Sequence, residues 1–442
     1  MRKMWTIGIR PMMMAALALC TLGATAQETL KLTLDKAIEI ALSDNPTIEV
    51  AEQTVQLKRI SDKETVMGLL PEASLSGAYT RNIKIQMVKI ADMDPMPMGS
   101  KNSYQGGLSM SLPVFAPTLY KSMKLTKTDV ELAVEQARAS KQDLVNQVTK
   151  AFYQMLLAQD SYAVLEKSYA QSEANFNIVK AKFEQGKVSE YDKISAEVQM
   201  RNLQPSVISA RNAVELSRLQ LVVLMNIDPE INIVLDGNLA DYEESVFAGI
   251  LTAGDNSLQN NTSLLQMDLN TRMLQQTLSL NKQNFAPMVA LQFNYMYTSM
   301  NNNYKFKEYT WYPYCNATLS VSMPLFKYSN FSALKKTNIQ IAQLMKNRDY
   351  TARQLAMQQQ SYLNSMAASA EQVSSNKEAI TQAQKGRDIA EKLYEVGRGT
   401  VLELNSAEVA LTQARLTYAQ SIYDYLTAKA DLDKLQGKDY VK

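Results

Sequence analysis

The sequence predicts a mainly α-helical chain with a β-barrel portion, organised as an internal two-fold repeat. Three observations predict this fold class. Short motifs recur at a constant offset of 211 residues, four segments alternate apolar and polar side chains, and two helical stretches each extend over about 68 residues. Helices of that length do not fit inside one compact domain, so they indicate a bundle, a coiled coil or a tube.

The repeat is visible as paired motifs in the two halves of the chain. SMSLPVF at 109–115 recurs as SVSMPLF at 320–326, and FEQG at 183–186 recurs as YEVG at 394–397. A third pair, SAEV, begins at Ser195 and again 211 residues later. A constant offset across separate motifs is typical of a duplicated supersecondary unit.

The predicted organisation follows this repeat, with a helix, two strands and a long helical hairpin in each half. The expected segments are a signal peptide at 1–26, a first repeat at 27–226, a linker at 227–255, a second repeat at 256–434 and a C-terminal tail at 435–442. The expected strands lie at about 72–90, 104–115, 287–300 and 309–324. The expected helical hairpins lie at about 118–225, with a tip near 186–192, and at about 329–434, with a tip near 397–403.

The N-terminus has the pattern of a secretory signal peptide. Three basic residues precede and flank the short apolar run PMMMAALALC, which leads to the cleavage signal Ala24-Thr25-Ala26. The run is too short for a membrane-spanning helix. An alternative is a lipoprotein leader that is lipidated at Cys20, which the bulky Leu19 before it disfavours.

Composition excludes several classes of function. The net charge of +2 becomes about −1 once the leader is removed, which excludes a generally basic nucleic-acid-binding protein. The chain has no His, so it lacks the commonest metal ligand and the commonest general base, and a Ser-His-Asp triad is impossible. We expect no catalytic residue, cofactor or metal. The mature chain keeps only Cys315, so it forms no internal disulfide, and it has no phosphate-binding G-x-x-x-x-G-K-[ST] motif.

The four strand segments each have one apolar and one polar face. In the first, the odd positions from Leu75 are apolar except for Arg81, and the others follow the same period of two. This pattern suits a barrel with lipid outside and water inside, although a half-buried soluble sheet has the same period. Four strands cannot close a barrel, so several chains would share one, and three chains would supply twelve strands. The predicted aromatic girdle comprises Tyr79, Tyr104, Tyr295, Tyr297, Tyr309, Trp311, Tyr312 and Tyr314.

The helices have recognisable boundaries. The first is predicted to begin after Thr33, to restart at Asn45-Pro46 and to run to about Leu70, where Pro71 ends it. The two long stretches at about 118–185 and 329–396 each span about 100 Å. Pro205 is expected to interrupt and bend the returning helix of the first half.

Both long helices are predicted to end in the same tight turn. Each turn has a Gly, a Ser or Thr three residues later, and an acid three residues beyond that. Gly in the left-handed conformation ends a helix, and Ser or Thr with an acid at the third helical position forms a capping box. These residues are Gly186, Ser189 and Asp192 in the first half and Gly397, Thr400 and Glu403 in the second.

The sequence resembles the TolC family of outer-membrane efflux channels over essentially the whole mature chain. The resemblance rests on AIEIALSDNP at 37–46, LLP at 69–71, LPVF at 112–115 and the two tip motifs, in this order and duplicated. It implies a homotrimer with a twelve-stranded outer-membrane β-barrel, four strands per chain, continued by a twelve-helix periplasmic α-barrel. The implied function is the passive exit duct of a tripartite efflux or type I secretion system. The implied partners are outer-membrane lipid, a periplasmic adaptor protein and an inner-membrane pump of the RND or ABC type.

In this family the tip of the second half carries the periplasmic gate. The resemblance implies that Tyr394 and Glu403 match the family's gate Tyr and first acid, that Ser406 stands where a second acid is usual, and that Arg398 lies one position from the usual Arg. Our hypothesis is a weaker gate in which Tyr394, Arg398, Glu403 and Asn405 lie near the constriction. The alternatives are that Glu403 only caps its helix and that Tyr394 only packs between helices. The expected tip and adaptor-contact residues are Gly186, Lys187, Ser189, Asp192, Gly397, Arg398 and Thr400.

Two other functions compete with a channel. A structural coiled-coil protein of the envelope fits the long helices, but the stretch 118–185 lacks a clean heptad seam. An outer-membrane enzyme would need a Ser-Lys or carboxylate design, to which no motif points.

Overall fold

The computed structural model describes residues 29–89, 94–244, 246 and 257–440. The predicted signal peptide with Cys20 lies outside these residues, as does the part of the predicted linker from 247 onward. The chain begins with strand β1 (Thr29–Leu32), helix α1 (Leu34–Ser43) and helix α2 (Pro46–Met67). Thr33 and Asn45 cap these helices through their side-chain oxygens, and Pro46 occupies the first turn of α2. Helix α2 ends three residues before the predicted Leu70.

Two pairs of long helices make up nearly half of the chain. The first pair is α3 (Pro117–Glu184) with α4 (Glu190–Met225), and the second is α6 (Tyr328–Glu395) with α7 (Val401–Leu435). A shorter helix, α5 (Thr262–Gln283), comes before the two strands that precede α6. The predicted interruption at Pro205 is wrong, because α4 is helical on both sides of this exposed residue. Proline removes one backbone hydrogen bond, and the packing of α4 along α3 maintains the rest of the helix.

No helix in the described part of the chain combines the length and the apolar character needed to cross a membrane.

The strands form one main sheet and two small ones. The main sheet contains β2 (Glu72–Arg81), β5 (Asn102–Phe115), β7 (Met288–Asn301) and β8 (Tyr312–Ser322) in the antiparallel order β2-β5-β7-β8. The predicted first strand at 72–90 is shorter, and a small hairpin of β3 (Gln86–Val88) and β4 (Met96–Met98) follows it. Far from this sheet, β1 pairs in parallel with β6 (Asn232–Leu235), inside the predicted linker.

The register of the main sheet places the apolar faces of all four strands on one side. Leu75, Leu108, Tyr295 and Cys315 are direct cross-strand neighbours in one row. The next row, which points to the opposite side, contains Ser76, Gly107, Met296 and Tyr314. Leu75 is 84% exposed, so the apolar side is uncovered in the single chain.

The residues of the predicted aromatic girdle do not all lie on one side of the sheet. Six of its eight residues lie on the apolar side or in the adjoining loop, but Tyr312 and Tyr314 belong to the polar side. The amide of Gln105 donates a hydrogen bond to the Tyr314 hydroxyl at 3.2 Å. Neighbouring residues of a strand point to opposite sides, so these two tyrosines cannot share a side with Cys315.

The helices form a layer four helices wide. Beside the sheet the neighbours are α2, α3, α5 and α6 in that order, and toward the tips they are α4, α3, α7 and α6. Both outer edges of the layer carry large exposed apolar residues at helical spacing. These include Val50, Leu57 and Ile60 on α2, Ile208, Leu216 and Val223 on α4, and Ile339, Tyr350 and Met357 on α6.

The main hydrophobic core lies midway along the long helices, where the two repeats meet. Phe152 and Met155 of α3 pack there with Leu221 of α4, Tyr425 of α7 and Leu32 of β1, and all five side chains are fully buried. This core joins the helical pairs, and it leaves the tips to be held by local contacts.

Candidate functional site at the paired helix tips

The tip of the first repeat is a tight turn between α3 and α4. Gly186 has φ +70°, and its N–H donates to the carbonyl of Phe183 at 2.8 Å, while the N–H of Lys187 donates to the carbonyl of Lys182 at 2.9 Å. These two bonds define a Schellman motif, which ends a helix with a residue in the left-handed conformation. The N–H of Ser189 then donates to the Asp192 carboxylate at 3.1 Å, and the N–H of Asp192 donates to the Ser189 hydroxyl at 3.1 Å.

The tip of the second repeat has the same design between α6 and α7. Gly397 has φ +75°, and the N–H of Arg398 donates to the carbonyl of Leu393 at 2.8 Å. The N–H of Thr400 donates to the Glu403 carboxylate at 2.8 Å, and the N–H of Glu403 donates to the Thr400 hydroxyl at 3.2 Å. Both halves of the predicted capping box are present, so helix capping is an established role of Glu403.

The two tips are packed against each other by a small apolar cluster. Val179 of α3, Ala196 of α4 and Val401 of α7 are buried, and Phe176, Val188 and Tyr394 pack around them. Since the cluster draws residues from both hairpins, the two tips of one chain form a single packed unit.

Tyr394 lies inside this unit, between the hairpins. The Lys182 ammonium sits 4.2 Å from the centre of its ring, which is a cation–π contact between the two hairpins. The Tyr394 hydroxyl is buried without a hydrogen-bond partner among the described residues. Burial raises the pKa of Tyr394, and the negative charge of Asp192 raises it further. Tyr394 therefore packs between the two hairpins.

The charged and polar residues of the second tip remain at the surface. Arg398 and Ser406 are exposed, Asn405 is half-buried, and no described carboxylate forms an ion pair with Arg398. The backbone N–H and hydroxyl of Thr400 hold the pKa of Glu403 below its usual value. Within one chain the tip thus brings Glu403 to Thr400 and Tyr394 to Lys182, but it does not bring Arg398 to an acid.

A polar cluster that the sequence did not reveal fastens α6 to α7 above the second tip. The Arg387 guanidinium donates to Glu408 of α7 at 2.7 Å and to Glu391 of its own helix at 2.8 and 3.1 Å. The side chains of Arg387 and Glu408 are only 15% and 14% exposed. Burial is the largest single influence and lowers the pKa of Arg387, but the bonds and negative charges of Glu408, Asp388 and Glu391 together outweigh it and raise the pKa of the guanidinium.

The internal repeat marks the position of this cluster as a place where the two halves of the chain differ. The offset of 211 aligns Arg387 with Phe176 and Glu408 with Glu197. In the first half, Phe176 belongs to the apolar cluster, and Glu197 pairs with Arg201 on its own helix at 2.8 Å. At these matching positions the first half has an apolar contact and an ion pair within α4, whereas the second half has an ion pair between α6 and α7.

No group of three or more Cys, Asp and Glu side chains in the described part of the chain could hold a metal ion.

A protein-family model described as "Outer membrane efflux protein" matches residues 37–226 and 253–438. The outer membrane protein TolC of Vibrio cholerae is 22% identical over 378 residues, which cover 84% of this chain and 82% of TolC. The alkaline protease secretion protein AprF of Pseudomonas aeruginosa is 22% identical over 336 residues, covering 75% of this chain and 69% of AprF.

The fold agrees with solved structures of outer membrane channels. The open state of the MtrE outer membrane channel of Neisseria gonorrhoeae superposes with a TM-score of 0.71 at 16% identity, covering 91% of this chain and 88% of MtrE. The family that matches both repeats consists of outer membrane channel proteins rather than enzymes. This chain is an outer membrane protein and belongs to the outer membrane efflux protein family.

Proposed function

We propose that the chain is one third of a passive exit duct, in which three copies share a twelve-stranded barrel in the outer membrane and a twelve-helix tunnel in the periplasm. The observation that carries this proposal is the register of the main sheet, because all four strands present one apolar side and one polar side. In a closed barrel those sides would meet lipid and water, respectively.

The open edges of the chain support a shared barrel. In the described sheet, β2 and β8 each pair on one side only, and an unpaired edge is not tolerated in lipid. The helical layer is also open, with exposed apolar residues on α2 and α4 at one edge and on α6 at the other. Docking one edge onto the opposite edge of the next copy is a head-to-tail contact, which closes into a ring when the rotation permits.

We further propose that the paired tips form the periplasmic entrance and its gate. The gate candidates are Tyr394, Arg398, Glu403, Asn405 and Ser406. The uncompensated charge of exposed Arg398 supports this role, because it leaves the guanidinium free to meet an acid of the neighbouring copy. That MtrE is described in an open state supports a duct of this type with more than one state.

Transport energy would come from partners, which we propose to be a periplasmic adaptor and an inner-membrane pump of the RND or ABC type. AprF is named as a secretion protein for a protease, so the cargo class extends to polypeptides as well as small molecules. The adaptor would contact residues of the two tips. The candidates are the half-buried Asp192 and the exposed residues Gly186, Lys187, Ser189, Gly397, Arg398 and Thr400.

The first test is the protein mass of the purified chain in mild detergent, by analytical ultracentrifugation with the bound detergent subtracted. A discrete trimer that forms channels in planar bilayers is the expected result. A stable monomer or a two-chain rod would refute the shared barrel and favour a structural coiled-coil protein. Conductance of Arg398→Gln and Glu403→Gln trimers then tests the gate, and unchanged open probability and ion selectivity in both would refute it.

A further inference from the structure

The loops at the end of the main sheet farthest from the helices are positively charged. Residues 82–101 join β2 to β5, and residues 302–311 join β7 to β8. Together with Arg81 they contain six basic and three acidic residues, whereas the whole chain carries a net charge of only +2. The basic residues are Arg81, Lys84, Lys89, Lys101, Lys305 and Lys307.

An aromatic cluster lies beside these charges, and we call it the outer aromatic cluster. Its central ring, Tyr104, has ring-centre distances of 4.7 Å to Tyr79, 5.1 Å to Tyr309, 5.6 Å to Phe306 and 6.4 Å to Trp311. Tyr79 and Tyr104 point to the same side of the sheet as the apolar row through Leu75. The cluster is therefore the loop end of the apolar side.

Hydrogen bonds hold the 302–311 loop onto the sheet. The fully buried Asn102 accepts from the Tyr79 hydroxyl at 2.9 Å and donates to the carbonyl of Asn303 at 2.9 Å. The Tyr309 hydroxyl donates to the same carbonyl at 2.6 Å, and the Ser299 hydroxyl donates to the carbonyl of Thr310 at 2.7 Å. The loop thus has a defined position relative to the apolar side.

Among the six basic residues of this loop end, only Lys305 forms an ion pair with a carboxylate of the described residues. The Arg81 guanidinium lies 5.0 Å from the centre of the Tyr304 ring, and Lys305 pairs with Glu308 at 3.2 Å. Neither Arg81 nor Lys307 forms an ion pair with a carboxylate of the described residues. Both cations are exposed. Arg81 lies two residues beyond Tyr79 on the same side of β2, and Lys307 follows Phe306 directly in the chain.

We infer that the outer aromatic cluster, with Arg81 and Lys307, binds the phosphorylated headgroup of a lipid in the outer leaflet. A lipid meets all three features together, because its phosphate attracts the cations, its interfacial region suits the aromatic rings, and its acyl chains cover the apolar side. A soluble anion would use the cations alone. The inference rests on the proposed function, since it requires the apolar side of the sheet to face lipid.

The binding can be followed through Trp311, because the only other Trp of the chain is Trp5 in the predicted leader. The purified protein in detergent is titrated with phosphorylated lipid A and, separately, with dephosphorylated lipid A. We expect a saturable change in Trp311 emission with the phosphorylated form only. Arg81→Gln with Lys307→Gln should raise the half-saturating concentration about tenfold or more, since each basic residue contributes to attraction of anionic headgroups.

The matched control removes two charges from the same outer region, as Lys84→Gln with Lys89→Gln, and should change half-saturation less than about threefold. Equal responses to both lipid forms, or equal losses in both variants, would overturn the inference. If a titration with inorganic phosphate alone gives the same saturable change in Trp311 emission, the inference is also overturned, because the site would then bind a free anion. Mass and conductance of the same preparations separate the two proposals. If the trimer conducts but its Trp311 emission responds equally to phosphorylated and dephosphorylated lipid A, only this inference is refuted. If the protein is a monomer, the proposed function is refuted.

Discussion

The bridge from Arg387 to Glu408 is expected to hold the second hairpin closed above its tip. Arg387→Gln removes a charged hydrogen bond of 2.7 Å between α6 and α7 and leaves the Glu408 carboxylate, 14% exposed, without its cation. Hydrogen bonds to charged groups contribute about 1.5–3 kcal/mol, and solvent screening is small at this exposure. We take about 2 kcal/mol, which corresponds to a roughly 30-fold increase in local opening of the hairpin.

Hydrogen exchange measures this opening directly. In Arg387→Gln, the amides of residues 388–404 should lose about 30-fold in protection. The protection of amides in the main hydrophobic core around Phe152 should not change.

The repeat supplies the control for this experiment, Arg201→Gln. Its partner Glu197 is the counterpart of Glu408, but that pair lies within α4, and Arg201 is 67% exposed. An exposed pair of this kind contributes less than about 0.5 kcal/mol. Equal loss of protection in the two variants, or none in Arg387→Gln, would refute the reasoning.

Three further predictions concern the tip and the orientation of the chain. Glu403 has a pKa below its usual 4.5, so its capping contribution is present above that pH and is lost as the pH falls through the lowered value. Protection of the second tip, corrected for intrinsic exchange, should fall on acidification in the wild type but not in Glu403→Gln, which keeps the cap without a charge. Gly397→Ala meets no atom within 4 Å but forces φ +75° on a residue with a Cβ, so thermal unfolding should show a loss of about 1 kcal/mol. On intact cells in a Cys315→Ala background, an impermeant maleimide should label Lys307→Cys but not Lys187→Cys, and the reverse pattern would invert the proposed orientation.

Local chemistry made the helices and tips predictable from the sequence. The caps at Thr33 and Asn45, the glycines and the two capping boxes depend on residues within a few positions of each other, so their spacing suffices. The period of two also defined which residues share a strand face. The exception, Tyr312 and Tyr314, arose because residue type outweighed that period in the predicted girdle.

Contacts between distant segments were not predictable in this way. The parallel pairing of β1 with β6 joins strands about 200 residues apart, and nothing in either four-residue segment identifies its partner. The Lys182 contact with Tyr394 depends on how two hairpins pack side by side. Spacing within a helix carries no information about such packing.

The difference between the two repeats gives the tips unequal roles. The first hairpin contributes Phe176 to the shared apolar cluster, and apolar packing tolerates small shifts because it has little directionality. At the matching position the second hairpin has Arg387, whose bonds to Glu408 and Glu391 hold only in a narrow geometry. The second tip is therefore internally stiff. Its contacts with the first hairpin are the apolar cluster, the Lys182–Tyr394 pair and, farther from the tips, one hydrogen bond of 2.9 Å from the Thr412 hydroxyl to Ser168. If the entrance opens, the weaker surface is the one between the hairpins, so the second hairpin should move as one body against the first.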